Sequence, residues 1–338
     1  MHFTTLVVGA NDGDELHDLL APYQENNFGT TDKSYLEFYD IEDELRRRYE
    51  TESEERIVMP DGRLLKHSDE EFVVPFKTAD DLFGSEFTIS TREIPDDLKR
   101  RKFPLKKLYK TFEAFADAYC GGRDPDCDQY GFWENPSAEW DWYVVGGRWS
   151  PFFKLKDGYE GVFGEPGVFG RADDDLEGRA DHALKGDIDF WGMRNERAID
   201  AAKTYDVVAR VIERTPINES WDVIRASYCN LAGDGDRFEE AMTKYEEQPR
   251  VKTFTAFAET EEGRRLLGYS SQVDDFNATR TDYTQQHRHA AATTSAVVMN
   301  GHWYDSFGKD PQTWHSIYAK MLNQIPDSTY LTVVDCHR

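Results

Sequence analysis

Cysteine is scarce in this sequence, and none of it forms a recognisable metal-binding or redox pair. Only four cysteines occur in 338 residues, and no two of them have Cys-x-x-Cys spacing. This spacing excludes a zinc ribbon, and so few cysteines in so long a chain exclude a disulfide scaffold. Reduced thiols in a cytoplasm are therefore expected.

Long apolar runs and the common nucleotide-binding motifs are also missing. No run approaches the ~18 apolar residues that a membrane-spanning helix needs, and the chain begins directly with a strand-like run at His2. No P-loop, dinucleotide-binding glycine fingerprint or nucleophile elbow occurs. We therefore expect a cytoplasmic protein without membrane attachment. Whether it is an enzyme stays open, although the missing motifs favour a role without catalysis.

Basic residues are outnumbered by acidic ones. Forty Lys and Arg residues stand against 65 Asp and Glu residues, which gives a formal net charge of −25. Proteins bind nucleic acid largely by placing Lys and Arg on phosphates, so direct nucleic-acid binding is not expected. The acidic excess either keeps the protein soluble or forms a face that imitates DNA or engages a basic partner protein.

The two ends of the chain predict an α+β fold. The β-branched run His2–Val8 is typical of a strand covered on both faces. Near the other end, Asn300 and Gly301 between apolar runs indicate a hairpin. A helix capped by Asp310 and a buried strand, Tyr330–Val334, follow. We predict a mixed or antiparallel sheet that pairs the N- and C-terminal strands, with helices mainly on one face.

The same pattern predicts a single α+β domain over residues 1–338 that carries two insertions. The first, at about 27–118, is the most acidic stretch of the chain. The second, at about 190–290, is rich in helical periodicity. The oligomeric state does not follow from the sequence.

A first group of candidate site residues lies at the two ends of the chain. If the terminal strands are antiparallel neighbours, His2 meets Asp335, Cys336 and His337; parallel strands would place them at opposite ends. Such a group could bind a transition metal or supply acid and base groups, with His2, Asp335 and His337 as the catalytic residues. The segment from His2 to Thr4 also has the His-x-Thr form of two-histidine phosphoesterases, without a second copy. The alternative is that these polar residues only cap strand ends.

A second group surrounds a diglycine in the middle of the chain. Glycine permits close backbone approach, and Arg148 beside exposed amides could hold a phosphate or carboxylate. Trp140 and Trp142 would share one face of a strand and could stack on a base. The alternative is a bent strand with aromatic core packing and Arg148 in a structural ion pair. The predicted ligand-binding residues are Arg148, Gly146, Gly147, Trp140, Trp142 and Trp149.

A third group is the pair of carboxylates Asp187 and Asp189. In extended backbone they would point the same way and could ligate Mg²⁺. The alternative is that they cap the helix that begins near Met193. No cofactor is predicted apart from such a divalent metal.

Five segments carry a resemblance to a known family. They are His2–Val8, Leu20–Asn26, Trp140–Ser150, Lys185–Phe190 and Val333–His337. In this order they resemble a family of uncharacterised proteins encoded by tailed bacteriophages and prophages. The likeness covers both ends and the middle of the chain, but not residues 27–118. It also departs at Ser306–Gly308, where similar proteins have a Gly-Trp-Trp-Gly-like segment.

The resemblance implies a phage or mobile-element setting. Together with the acidic charge, it predicts an accessory protein that acts by binding in the cytoplasm of the infected cell. The protein would counter a host defence or modulate a host factor, and its partner would be a host protein or a small anionic ligand near Arg148. One alternative is a metal-assisted phosphoester or nucleotide hydrolase, and another is a minor virion component.

Overall fold

The chain divides into two compact units. A computed structural model describes residues 1–27, 29–76, 89–92, 94–95, 97–167, 177–228, 235–267 and 271–338. One unit combines Met1–Asn27 with Ser137–Arg338, and the other is Phe28–Pro136. The acidic insertion predicted at about 27–118 therefore coincides with most of the second unit, which continues to Pro136. In the described part of the chain, no helix is long and apolar enough to cross a membrane.

The described regular elements are short strands and helices of very different lengths. The strands are β1 (His2–Val8), β2 (Glu37–Asp40), β3 (Ser53–Val58), β4 (Leu64–Leu65), β5 (Val73–Phe76), β6 (Ile89–Arg92), β7 (Lys99–Pro104), β8 (Gly131–Glu134), β9 (Trp142–Gly147), β10 (Phe153–Lys154), β11 (Glu165–Pro166), β12 (Arg179–Ala180), β13 (His182–Leu184), β14 (Ala296–Met299), β15 (His302–Asp305) and β16 (Tyr330–His337). The helices are α1 (Gly13–Leu20), α2 (Glu42–Thr51), α3 (Leu105–Leu108), α4 (Phe112–Cys120), α5 (Phe190–Ile212), α6 (Trp221–Tyr228), α7 (Gly235–Glu246), α8 (Pro249–Ala258), α9 (Glu261–Leu267), α10 (Arg280–Ala290) and α11 (Pro311–Gln324).

The main sheet is organised around β16, the last strand. One edge of β16 pairs with β1 in antiparallel register, from His2 opposite His337 to Val8 opposite Leu331. The other edge is shared by β9 and β13. Further outward, β14 pairs parallel to β1, and β15 completes the hairpin. The predicted α+β fold, with paired N- and C-terminal strands in a mixed sheet, is confirmed.

Alternation along the central strands gives the sheet two apolar faces. Leu6 and Val333 belong to a core cluster that includes residues of α11 and the start of α5. Val7 and Val334 point the other way and pack with residues of α1. Both faces are covered, and the middle residues of β1 and β16 are accordingly buried whichever face they are on.

Helix α11 covers the first face and begins as its sequence predicts. Asp310 Oδ1 accepts a hydrogen bond from the Thr313 amide at 2.9 Å, and Pro311 is the first helical residue. Its buried side chains include Trp314 and Tyr318, whose spacing of four places them on one stripe. The Trp314 indole Nε1 also donates to the Thr294 carbonyl at 2.8 Å, so this helix is tied to the segment before β14.

Helices α5 to α10 lie between residues 190 and 290 and surround an apolar cluster of their own. Val208, Val251 and Phe276 are among its buried members. The carboxylate of Asp274 organises the helix ends: it accepts from the Trp221 amide at 2.7 Å and from the Tyr245 hydroxyl at 3.0 Å. Burial, followed by the charge of Asp274, raises the pKa of Tyr245, so this hydroxyl remains a donor.

The second unit has a separate small core. Strand β3 pairs with β4 and β7, and β2 pairs with β8. Leu45 and Phe115 are among the buried residues that join α2 to α4. The buried Arg56 guanidinium donates two hydrogen bonds to Glu54, at 2.7 and 2.8 Å, which supply the partner that a buried cation requires.

We expect Leu331→Ala to destabilise the first unit by about 2–5 kcal/mol, because it leaves a cavity where β1, β13 and β16 meet. Leu331 is fully buried, whereas Ile217 is 75% exposed. Ile217→Ala is therefore the control, with an expected change below about 0.5 kcal/mol. Urea unfolding followed by tryptophan fluorescence measures both changes, and equal losses would contradict the central position of β16.

Candidate functional site

Two histidines meet where the first strand begins and the last strand ends. The antiparallel register places His2 directly opposite His337. Their ring centroids are 4.9 Å apart, and the ring planes are inclined by 67°. The terminal strands are therefore antiparallel neighbours, which is the condition under which the sequence predicts that these residues meet. Side chains from both ends of the chain lie next to each other.

Each imidazole is held by a carboxylate. His2 Nδ1 lies 2.9 Å from Asp335 Oδ1, and His337 Nδ1 lies 2.9 Å from Asp141 Oδ1. Because a carboxylate accepts the Nδ1 proton, each neutral ring has its lone pair on Nε2. Within the described ranges, neither Nε2 has a hydrogen-bond partner, so both nitrogens are available to a ligand. Sequence reasoning missed Asp141, which no motif marks.

Asp335 is almost completely buried, at 1% exposure, and both of its oxygens are used. While Oδ1 faces His2, Oδ2 accepts a hydrogen bond from the Arg148 amide at 3.0 Å. Gly147 makes this possible: its φ is +59°, and a Cβ at this position would lie 2.3 Å from Asp335 Cβ. The close approach predicted for Gly147 is therefore toward a carboxylate of the protein itself.

A second buried carboxylate, Asp181, lies under the neighbouring Gly146. Gly146 has a φ of +79°, and a Cβ there would lie 2.6 Å from Asp181 Oδ2. Asp181 accepts from the Phe152 amide at 2.8 Å, from the Gly164 amide at 3.1 Å and from the Ser150 hydroxyl. The diglycine bend predicted from the sequence thus packs against two buried carboxylates, those of Asp335 and Asp181. Nothing in the sequence marks Asp181 as one of them.

Cys336 does not join the histidines, contrary to expectation. It is fully buried on the opposite face of β16, in the cluster formed with α1. Because neighbouring residues of a strand point to opposite faces, Asp335 and His337 share a face that Cys336 cannot reach. Burial raises the pKa of its thiol to about 12, so Cys336 is a core residue.

The tryptophans also differ from expectation, because Trp140 and Trp142 do not share a strand face. Strand β9 begins only at Trp142. Trp140 is 2% exposed, and its Nε1 donates to the Leu20 carbonyl at 3.0 Å. Trp142 is 49% exposed and meets the His2 ring edge-on, with centroids 5.7 Å apart. Of the two, only Trp142 is placed to contact a ligand beside the histidines.

A cavity of about 350 Å³ opens on the same side of the sheet. It begins at Thr4, which shares the face of β1 with His2 at about 7 Å along the strand. Trp149, Arg179 and Arg197 also line it. The side chain of Arg148 is exposed and forms no ion pair with a described residue, so its predicted structural ion pair is not found there.

The predicted metal-binding pair, Asp187 and Asp189, is not an extended pair. Asp187 ends a short 3₁₀ turn, and Asp189 caps α5, where its Oδ1 accepts from the Gly192 amide at 2.8 Å. The capping alternative is therefore confirmed for Asp189. Its carboxylate is occupied by the helix start rather than directed with Asp187 toward a common ion.

A metal site is not formed by any cluster of three or more His, Cys, Asp or Glu side chains in the part of the chain that is described. The histidine pair would offer two imidazole nitrogens, fewer than the four ligands of a typical zinc site or the three protein ligands of a catalytic one. Metal assistance therefore stays a prediction.

No protein-family model matches the chain, and no curated protein or solved structure matches it either. The resemblance to phage-encoded proteins thus stays a prediction. Because a fold alone does not determine a function, the function has to be argued from the geometry of the site.

Gly147→Ala should destabilise the protein more than Gly308→Ala. Both glycines have similar φ, +59° and +69°, but a Cβ at position 308 meets nothing within 4 Å. Left-handed backbone costs alanine about 1–2 kcal/mol at either position. The collision with Asp335 should add about 1–3 kcal/mol at Gly147. Chemical unfolding of the two variants measures the difference, and equal losses would contradict the packing of the bend on Asp335.

The Cys336 thiol should resist maleimide in the folded protein. With a pKa of about 12, only roughly one thiol in 10⁴ is ionised at pH 8, and the thiolate is the reactive form. Peptide mass spectrometry after labelling, with and without urea, should find Cys336 modified only in urea. Partly exposed Cys127 serves as the internal control; equal labelling rates in the folded state would contradict this assignment.

Proposed function

We propose that this chain cleaves a phosphoester bond in a small, nucleotide-like anion, with His2 and His337 as its acid–base pair. The observation that carries the proposal is the pair itself. Two imidazoles lie 4.9 Å apart at their centroids, each with Nδ1 on a carboxylate. An imidazole anchored in this way can take or give a proton at Nε2, which is the arrangement that general acid–base catalysis requires.

The carboxylates assign the two roles. Asp335 is buried, so its charge stabilises the imidazolium that forms when His2 takes a proton from water. The water oxygen then bonds to phosphorus, and the bond from phosphorus to the leaving oxygen breaks. His337 Nδ1 faces the partly exposed Asp141, and in its protonated form His337 donates its Nε2 proton to that leaving oxygen. The substrate thus gains one water, and proton exchange with solvent restores both rings.

Binding of the anion is assigned to the cavity that begins at Thr4. Arg179 and Arg197 line it together with the carboxylates of Glu196 and Asp200, and Arg179 is paired with Glu196 at 3.3 Å. Exposed Trp142 and Trp149 flank the histidines and the cavity, and aromatic faces of this kind stack on bases. In a chain with a net charge of −25, local guanidinium groups are what an anionic substrate requires.

The binding role predicted from the sequence remains the competing proposal. A phage accessory protein could sequester a small anionic signal in the same cavity without cleaving it. Two imidazoles with anchored Nδ1 atoms are not needed for sequestration, because arginine already supplies charge and donors. The anchored pair therefore favours cleavage. The phage setting, a basic host partner and a virion role are separate predictions that the site does not address.

His2→Gln should lower kcat by about 10²–10⁴-fold on both a 4-nitrophenyl phosphodiester and an unactivated dinucleotide, because both need the base. His337→Gln should slow only the dinucleotide, since 4-nitrophenolate leaves without a proton. His302→Gln, on exposed β15, is the control and should match the parent protein. Rates are followed by nitrophenolate absorbance and by chromatography, with chelator and with added Mg²⁺ or Zn²⁺.

The outcomes separate the candidate functions. Turnover only with added metal would replace the metal-free mechanism by the metal-assisted one. Tight binding of nucleotides without turnover, unchanged in His2→Gln, would favour sequestration. Full activity of His2→Gln on both substrates would overturn the acid–base proposal.

A further inference from the structure

A second cavity lies among the helices, away from the histidine pair. It has a volume of about 250 Å³ and is bounded by side chains of α5, α9 and α10. The residues that carry its polar character are Arg197, Thr204, Arg265, Tyr283 and His287. Arg197 also lines the cavity at Thr4, whereas Arg265 and Tyr283 do not.

The charge of this cavity is opposite to that of the chain. Two guanidinium groups line it, and no carboxylate does among the residues that the structure describes. Neither Arg197 nor Arg265 forms an ion pair with a described residue. Both side chains are exposed. With no carboxylate beside them in the described lining, the two guanidinium groups give this cavity wall a positive charge that attracts an anion.

Two hydroxyls complete the lining. Thr204 is 8% exposed and Tyr283 is 3% exposed. Within the described ranges, neither hydroxyl has a hydrogen-bond partner, and neither oxygen is among the fully buried side-chain atoms that lack one, so both are open to a molecule in the cavity. Burial, followed by the charge of Asp275, raises the pKa of Tyr283 to about 12, so its phenol stays protonated and can donate. The Asp275 carboxylate itself accepts from the Gln272 amide at 2.9 Å.

We propose that this cavity binds the phosphate group of a small phosphate monoester. Arg197 and Arg265 would neutralise the dianion, and the hydroxyls of Thr204 and Tyr283 would donate to its remaining oxygens. The volume lies below the roughly 300–1,000 Å³ of pockets for drug-sized ligands, which suits a sugar phosphate better than a dinucleotide. The proposal does not rest on the phosphoesterase activity, because neither histidine lines this cavity, although Arg197 also lines the cavity at Thr4.

Arg265→Gln should weaken binding of ribose 5-phosphate by about tenfold to a hundredfold, because charge-assisted hydrogen bonds to phosphate are lost. Arg264→Gln removes the same charge from the neighbouring position of α9; both arginines are exposed, but only Arg265 lines the cavity. This control should change the dissociation constant less than about twofold, since Arg264 makes no hydrogen bond to a phosphate in the cavity and its charge acts only through salt-screened solvent. Isothermal titration calorimetry of the full chain at moderate ionic strength measures both.

Titrations with three ligands test whether the site prefers a phosphate monoester. Ribose 5-phosphate should bind more tightly than inorganic phosphate, and ribose should not bind. Equal affinity for ribose 5-phosphate and inorganic phosphate would contradict the proposed monoester, because the cavity would then recognise only the free ion. No binding of either phosphate up to about 10 mM, or equal weakening by Arg264→Gln and Arg265→Gln, would overturn the proposal. His2→Gln should keep the affinity of the parent protein, so failure here and failure of the catalytic proposal are separable.

Discussion

The antiparallel register of β1 with β16 determines what this protein can bring together. It places His2 opposite His337 and puts both on the face that also carries Asp335. A slip of one residue along β16 would turn Cys336 toward His2 and move His337 to the face of the cluster beside α1. Because apolar side chains on both faces fix this register, the core of the first unit and the geometry of its candidate site have the same physical origin.

Much of the fold could be predicted because its signals are local. The capped start of α11, the turn at Asn300 and Gly301, and the apolar runs of the terminal strands each lie within a few residues of sequence. Pairing the two ends needed one further step, the assumption that the most apolar strands lie at the centre of the sheet. The register places Val7 and Val333 on adjoining strands, as that assumption requires.

Only part of the candidate site could be predicted. Its histidines follow from the paired ends of the chain, but some of the carboxylates around them come from segments whose neighbours in the sheet the sequence does not reveal. His2, Asp335 and His337 were found through the paired ends. Asp141 and Asp181 were missed, since nothing in the sequence places β9 beside β16 or brings Asp181 under a glycine. Trp140 was misassigned because the strand begins two residues later than its aromatic pattern indicates. Buried carboxylates need several donors, and those donors are backbone amides that no motif records.

Arg197 lines two cavities whose proposed occupants are both anions. One guanidinium cannot give its full set of hydrogen bonds to two ligands at once. A ligand bound in either cavity therefore lowers the affinity of the other cavity for its own ligand. Thermodynamic linkage makes that penalty equal in both directions. A sugar phosphate among the helices would therefore act as a negative effector of nucleotide binding at the sheet, with one side chain as the coupling element.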